Sequence, residues 1–580
     1  MNGPHRVGCN DAGRSQVGQR RMTRRSLLRG VALGVSTAPI LPMIRPASVA
    51  ALPDGAVSVL ANGVTSDDGT DQRQAIQRVI DTFSGSRVIF FPPGRYRIGT
   101  AGAKGPNRIR LRTGTYLAFS EGAVIEVNAV DQQSGSSIFF AGGADGTKSS
   151  IPADAVMGER SVALPGRIVR NLAVGDIVGL ESFGIAGDSG GYPWYVREFH
   201  RVTAIGASGT VTIDTPLEYS YLRSDRAVAW RVATVDDVTI DGAVFECGPG
   251  VTAGTDGTYA IGVSKAANLR IRNVVLTNMI GGISIHDCYG GSIVDCTVDG
   301  LPRYGSPYGY GVHVGGSSAM IRVDNLRGSR IRHLFTTLSD DRGEAYWGGP
   351  MRIQVNNGVG YGAKEGFSIW DTHEFGRHIE FNHCVATGGG SAVSGFQIRA
   401  QDVTLNNCTA RENGKRAVVL TNLSKRVRIF GGDFGHSGSQ GIAAAGESHE
   451  ILDAFVHDCI GAGIAIDNSE NILVQGCTIV NNAYGLQDAG GGKHRSAEIK
   501  ESLNAKIENC IIPFSERQKI SMLDLSSSAV VANVQCRGFG STGGLRNSKT
   551  GRWEAPLGAV YSILTDDGWV SNRPANSLPG

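Results

Sequence analysis

The chain lacks several of the features that would place a 580-residue protein at once. Its ten cysteines include no CxxC pair, which argues against a zinc site. Beyond residue 50 no stretch approaches 18 consecutive apolar residues, so no membrane span is expected in a mature chain. Surplus positive charge is missing too. Residues 1–50 hold eight arginines and one aspartate, so their removal takes the formal net charge from +3 to −4. The electrostatic case for nucleic-acid binding disappears with them. What is abundant is glycine, at 81 residues, which fits a chain built on repeated tight turns.

Those turns recur. From Val238 to Cys536 a degenerate unit of about 22 to 24 residues repeats, clearest in VTLNNCTA (403–410), IEFNHCVA (379–386), ILVQGCTIV (472–480) and AKIENCII (505–512). A second apolar run precedes each: GISIHD (282–287), GVHVGG (311–316), GFSIWD (366–371), GFQIRA (395–400), AVVLTN (417–422) and GIAIDN (463–468). No helix fits between the runs, so the strands of one coil must pair with those of the next, about 4.8 Å away. The expected fold is all-β: a single-stranded right-handed parallel β-helix over 233–539, similar to the pectate lyase-like superfamily.

Successive strand residues face opposite sides. Aligning Phe367 with Phe396 predicts that Phe367 and Ile369 fill the interior while Ser368 and Trp370 point out. One outward column then holds His286, Gly315, Trp370 and Arg399, and another holds Ser284, His313, Ser368 and Gln397. Recurrent Cys384, Cys408, Cys459, Cys477 and Cys510 read as free thiols stacked in the interior.

The flanks divide into four parts. TRRSLLRG (23–30), an apolar stretch to Ile40 and PASVA (46–50) resemble a twin-arginine signal peptide over 1–50, with Arg24 and Arg25 as the pair. That resemblance implies the twin-arginine export machinery as a partner and a periplasmic or secreted location. Residues 51–155 are expected to hold an N-terminal cap and the first coils, with a short helix burying Ala75, Ile76, Val79 and Ile80. Asp67, Asp68 and Asp71 read as its turn and capping residues. A β-rich insertion is expected over 156–232, where Trp194, Tyr195, Tyr219 and Tyr221 either wall a groove or form the insertion's own core. Residues 540–580 break the repeat and read as a cap, tail or oligomer contact, the chain being a monomer or homotrimer.

Chemistry concentrates in KEGFSIWDTHEFGRHIEF (364–381), flanked by GSRIRHLFTTLSDD (328–341) and GFQIRA (395–400). Asp371 and His373, one residue apart, resemble the Gly-Phe-Asp-Pro-His hallmark of alginate C5-epimerases and lyases. Thr372 stands where that motif has proline. The RH…TT and DTHE stretches also resemble exported or phage-like β-helices that act on polysaccharides. This resemblance implies an acidic, uronate-containing polysaccharide as substrate. Abstracting a proton beside a carboxylate needs a base, a cationic clamp and an acid. His333 or His373 supplies the base, Arg399 the clamp, Tyr310 or Tyr361 the acid, with Asp371 in the same constellation. His286, His313, Lys364, Trp370, Glu374 and Gln397 are substrate-lining candidates.

Each has a plainer role open to it. Asp371 with His373 could be a turn-stabilising pair, His333 a partner of Asp340 or Asp341, and Arg399 an ion pair with Glu365 or Glu374. No cofactor or metal is expected; calcium stays conceivable through Asp340 and Asp341. β-Elimination leads, ahead of C5-epimerisation, a polygalacturonase-like glycoside hydrolase using paired carboxylates, and a non-catalytic glycan-binding β-helix.

Overall fold

A left-handed residue recurs at the same turn of successive coils and explains the repeat. Asn273, Asp295, Asn325, Asn357, His383, Asn407, Asp453 and Asn509 all sit at φ between 48° and 56°. Asparagine and aspartate are the side chains that tolerate this conformation best. The next residue turns inward and is small where space is tightest: Cys296, Cys384, Cys408, Ala454 and Cys510 are all buried. The N-C and D-C pairs of the sequence are thus a turn followed by an interior position. The described cysteines form no disulfide with one another. Amide ladders tie successive turns together, as Asn356 donates to Asp324 at 2.8 Å and Asn382 to Asn356 at 2.9 Å.

The computed structural model describes residues 53–99, 108–128, 136–189, 192–248, 258–301, 309–341, 345–362, 367–482 and 506–512, with shorter strand segments from 484 onward. The leader, Lys364 and Glu365 lie outside the described residues, as does most of 540–580. Strands stack in parallel into three long sheets of 16, 12 and 13 strands, giving a right-handed parallel β-helix. One continuous apolar core runs from Val59 to Ile512 between them.

At the entry, the helix Arg73–Phe83 buries Ala75, Ile76, Val79 and Ile80 in that core, as the 3.6-residue spacing predicts. Asp71 accepts hydrogen bonds from the amides of Arg73 (3.0 Å) and Gly99 (2.9 Å), and Asp68 from that of Thr70. Both carboxylates satisfy turn amides. No helix among the described residues is long and apolar enough to cross a membrane.

The insertion is a separate nine-stranded sheet around the long hairpin Ile177–Ser189 and Tyr192–Ile205. It starts earlier than the sequence suggests. Ala144–Asp145 and Ser149–Ser150 already pair with Val228–Ala233, two strands too short to carry an alternation signal. A later excursion also joins it, because Tyr346–Trp347 pairs with Trp194–Tyr195. Trp194, Tyr219 and Tyr221 are buried in the insertion's own core, so of the four aromatics only Tyr195 is partly open.

The expected register fails at one coil. Trp370, not Phe367, pairs with Phe396 and Phe335. This offset of three residues is odd, so it turns Trp370 inward and Phe367 outward, while Ile369 is in the core as expected. Trp370 is fully buried in the core with its indole N–H donated to the Val385 carbonyl at 3.1 Å, whereas Phe367 is 49% exposed. Trp370 is therefore a core residue and not a sugar platform. The error came from matching GF to GF: here the larger tryptophan fills the slot that phenylalanine fills one coil later.

Candidate functional site

The 13-stranded sheet brings the chemistry together. Its strands Gly281–His286, Tyr310–Gly315, His333–Leu338, Ser368–Thr372 and Ser394–Ile398 stack in that order. One face carries Ser284, His313 and Thr336 in register, and Asp371 beside Gln397. The Thr336 hydroxyl donates to Asp371 at 2.9 Å, which joins the two halves. Continuing down the same column, Val419, Ala443 and Ala465 carry no chemistry.

Asp371 is the hub. Its surface is fully covered, and the Arg399 Nη2 lies 2.7 and 2.8 Å from its two oxygens. Ser368 Oγ reaches Oδ1 at 3.3 Å, and His373 Nε2 lies 3.4 Å from Oδ2. Burial opposes ionisation of this carboxyl, but the Arg399 charge, helped by the polar ring around it, holds it below the usual carboxylate range. Arg399 also donates Nε to the Thr372 carbonyl at 3.2 Å. The guanidinium proposed from sequence as a free clamp is thus largely committed to Asp371.

Two histidines flank the pair. His333 is almost completely buried, and its Nδ1 lies 2.7 Å from the Ser368 carbonyl. A carbonyl only accepts, so Nδ1 carries the proton and Nε2 keeps its lone pair. Burial pushes its pKa down to about 4. His373 keeps a quarter of its side chain open, with its amide held by Thr337 Oγ1 at 2.9 Å. Burial and then the Arg399 charge push it down to about 3, and its exposed quarter moderates that shift. Both imidazoles are neutral at physiological pH. Tyr310, buried and 5.5 Å from His333 between ring centroids, stays protonated because burial raises its pKa. His313 continues the aromatic stack at 5.7 Å from Tyr310.

The other candidates separate. Gln397 adjoins Asp371, and Glu374 lies 3.8 Å from His373 Nδ1. Tyr361 sits on the neighbouring 12-stranded sheet. His286 belongs to a second charged cluster, where buried Arg197 of the insertion grips Asp287 with paired bonds of 3.0 and 2.9 Å. Asp340, 3.2 Å from Arg197, is part of that cluster. Sequence reasoning missed Arg197, Asp287 and Thr336, with only the TT of RHLFTT as a hint, and placed Ser368 in an outward column without giving it a role. Among the described residues, His436, His457 and Asp458 offer metal-ligand atoms within 4.8 Å of one another, but on the 12-stranded sheet. Asp458 and Asp433 already engage both nitrogens of His457. A cavity of about 340 Å³ beside Arg322, Arg352, Gln354 and Glu380 lies on the 16-stranded sheet and includes none of the site's groups.

A rim of aromatics stands at the insertion's edge. Phe183, Tyr195 and Trp347 pack with centroids 4.7 to 5.1 Å apart. Phe375, four residues past Asp371, touches the same region through Tyr346 at 4.8 Å.

Comparison with known proteins agrees with this architecture. Residues 356–498 match the family described as right handed beta helix region. The tailspike protein gp49 of Pseudomonas phage LKA1 superposes with a TM-score of 0.55, at 14% identity, covering 87% of this chain and 84% of that one. The Gp54 tailspike of Acinetobacter baumannii bacteriophage AP22, solved in complex with capsular saccharide, gives 0.52 at 12% identity over 88% and 80%. In sequence, a capsule K1-specific depolymerase of Klebsiella phage K64-1 is 26% identical over 245 residues. Those residues are 40% of this chain and only about a quarter of that protein's length.

Proposed function

We propose that this right-handed parallel β-helix protein is an exported enzyme that acts on an acidic polysaccharide, cleaving it by β-elimination. The observation that carries the reading is the pairing of two neutral imidazoles with a buried Asp371–Arg399 unit. In that role His333 Nε2, oriented by the Ser368 carbonyl on its other nitrogen, takes the proton beside the sugar carboxylate. Tyr310, protonated and in contact with His333, returns a proton to the leaving oxygen. Asp371 and Arg399 touch no reacting atom; they hold the turn that carries His373 and fix the local field. Similarity to a capsule depolymerase and to tailspikes supports a polysaccharide as substrate.

Hydrolysis fits less well. A glycosidase needs one carboxyl with a raised pKa to act as acid, and Asp371 is held in the opposite direction. The test is absorbance near 235 nm, where a double bond conjugated to a carboxylate absorbs, on residues 51–580 with alginate, polygalacturonate, hyaluronan and bacterial capsular polysaccharides. The expected result is a rise that His333→Gln abolishes. New reducing ends without that rise would replace elimination by hydrolysis; neither signal, with altered sugar stereochemistry by NMR, would make it an epimerase.

A further inference from the structure

We infer that Arg332 is the residue that binds the sugar carboxylate, an inference that rests on the proposed action on an acidic glycan. Arg332 precedes His333, and its side chain was not among the candidates the sequence suggested. Its guanidinium lies over two rings, 4.7 Å from the Phe367 centroid and 5.4 Å from that of Tyr310. Its Nε and Nη1 are shut off from solvent and have no hydrogen-bond partner. No carboxylate among the described residues pairs with it. Two other arginines of this region are different: buried Arg197 holds Asp287 and partly buried Arg399 holds Asp371, each within 3.0 Å.

An arginine cannot shed its charge when it is buried. Taking two of the Arg332 nitrogens out of water without an anion is costly, and aromatic faces offset only part of that cost. The cost falls if an anion arrives with the ligand. Arg332 stands beside the two groups assigned to proton transfer, since His333 is the next residue and Tyr310 lies under the guanidinium. A carboxylate seated there would place its sugar ring against His333 and the half-exposed Phe367, whose ring lies 6.4 Å from that of His333. Planar N–H groups suit a carboxylate, and the same contact would stabilise the negative charge that spreads onto that carboxylate once the neighbouring proton leaves. The division of labour among the arginines follows: Arg399 serves Asp371, and Arg332 serves the substrate.

The test measures binding separately from turnover. Wild type and Arg332→Met are titrated with oligogalacturonate, oligoalginate and hyaluronan oligosaccharides, and with the carboxyl-reduced, neutral form of each, by thermal shift and calorimetry. Expected is binding of at least one acidic oligosaccharide to wild type, at least 10-fold tighter than its neutral form, and loss of that preference in Arg332→Met. Without ligand, Arg332→Met is expected to melt no lower than wild type, because it removes an unpaired charge. A Tm drop of several degrees in the ligand-free variant would make Arg332 a structural residue and overturn the inference. So would equal binding of acidic and neutral forms, or an acidic preference that survives the substitution. If the preference depends on Arg332 but no double bond or new end forms, the anion site stands and the lyase reading fails.

Discussion

Two arginine–aspartate pairs with buried carboxylates lie in this molecule, and their geometry and surroundings differ: Arg197 meets Asp287 with both terminal nitrogens, Arg399 meets Asp371 with one. Arg197 and Asp287 join the insertion to the β-helix, and further charges crowd them: Lys265 is 3.4 Å from Asp287, Glu181 3.7 Å and Asp340 3.2 Å from Arg197. Arg399 and Asp371 lie within one sheet, surrounded by hydroxyls and neutral imidazoles. The first pair is a fastening between two cores. The second lies among the groups proposed to exchange protons. A buried ion pair is therefore not evidence of function by itself; what surrounds it decides.

Removing one partner from each pair separates the two. Asp371→Ala leaves Arg399 without its carboxylate and is expected to lose about 3–5 kcal/mol in urea unfolding, while Asp287→Ala leaves Arg197 only Asp340 and the longer contact to Glu181 and is expected to lose less. Replacing both partners by apolar groups should recover most of that loss, in Arg197→Met/Asp287→Leu and in Arg399→Met/Asp371→Leu alike. Activity should separate them. The insertion double variant is expected to retain turnover, while the Asp371 double variant stays down by about 100-fold or more, as misplaced catalytic groups do. Recovery of activity in the Asp371 double variant would reduce that pair to a fastening as well.

Acid should divide the two regions in opposite directions. His333 and His373 have folded pKa values near 4 and 3, below the ordinary 6.5, so the unfolded chain takes up protons that the native site refuses. Their contribution is complete above pH 6.5 and shrinks as pH falls toward 4. At pH 4.5 the loss through His333 alone is about 2–3 kcal/mol. His286 behaves in the reverse sense. Burial disfavours its charge, but Asp287 and Asp340 outweigh burial and raise its pKa, so its contribution is present below pH 6.5 and lost as pH rises through the folded value. Urea unfolding between pH 4.5 and 8 should therefore show a weaker acid loss in His333→Gln than in wild type, and a larger penalty for His286→Gln at low pH than at high. Identical pH profiles for both variants would sink the distinction.

Much of this was legible from the chain. Turn residues and interior cysteines repeat because each coil solves the same steric problem, so the β-helix and the position of most strands follow from the N-C pattern. Asp371, His373, His333 and Arg399 were visible as a local excess of titratable groups, and they do converge. Their pairings were not, because contacts between coils depend on register, and a single three-residue offset at GFSIWD sent Trp370 into the core. Arg197 lies 90 positions from Asp287 and Arg332 is conspicuous only for the partner it lacks. No local pattern encodes either property.

The smallest expected effect tests the column itself. Gln397 and Val419 occupy the same outward position on adjacent strands, one beside Asp371 and the other where the face turns apolar. If glycan lies across the early coils, Gln397→Ala removes a neutral hydrogen bond to sugar, worth about 1 kcal/mol, and KM rises about 5-fold with kcat little changed. Val419→Ala should leave both constants within error, since nothing on its face distinguishes a sugar from water. The pair shares register and strand type, so a general weakening of the sheet would move both together. A KM change at Val419 equal to that at Gln397 would mean the glycan extends along the later coils. The chemical contrast down the column would then not mark where the substrate ends.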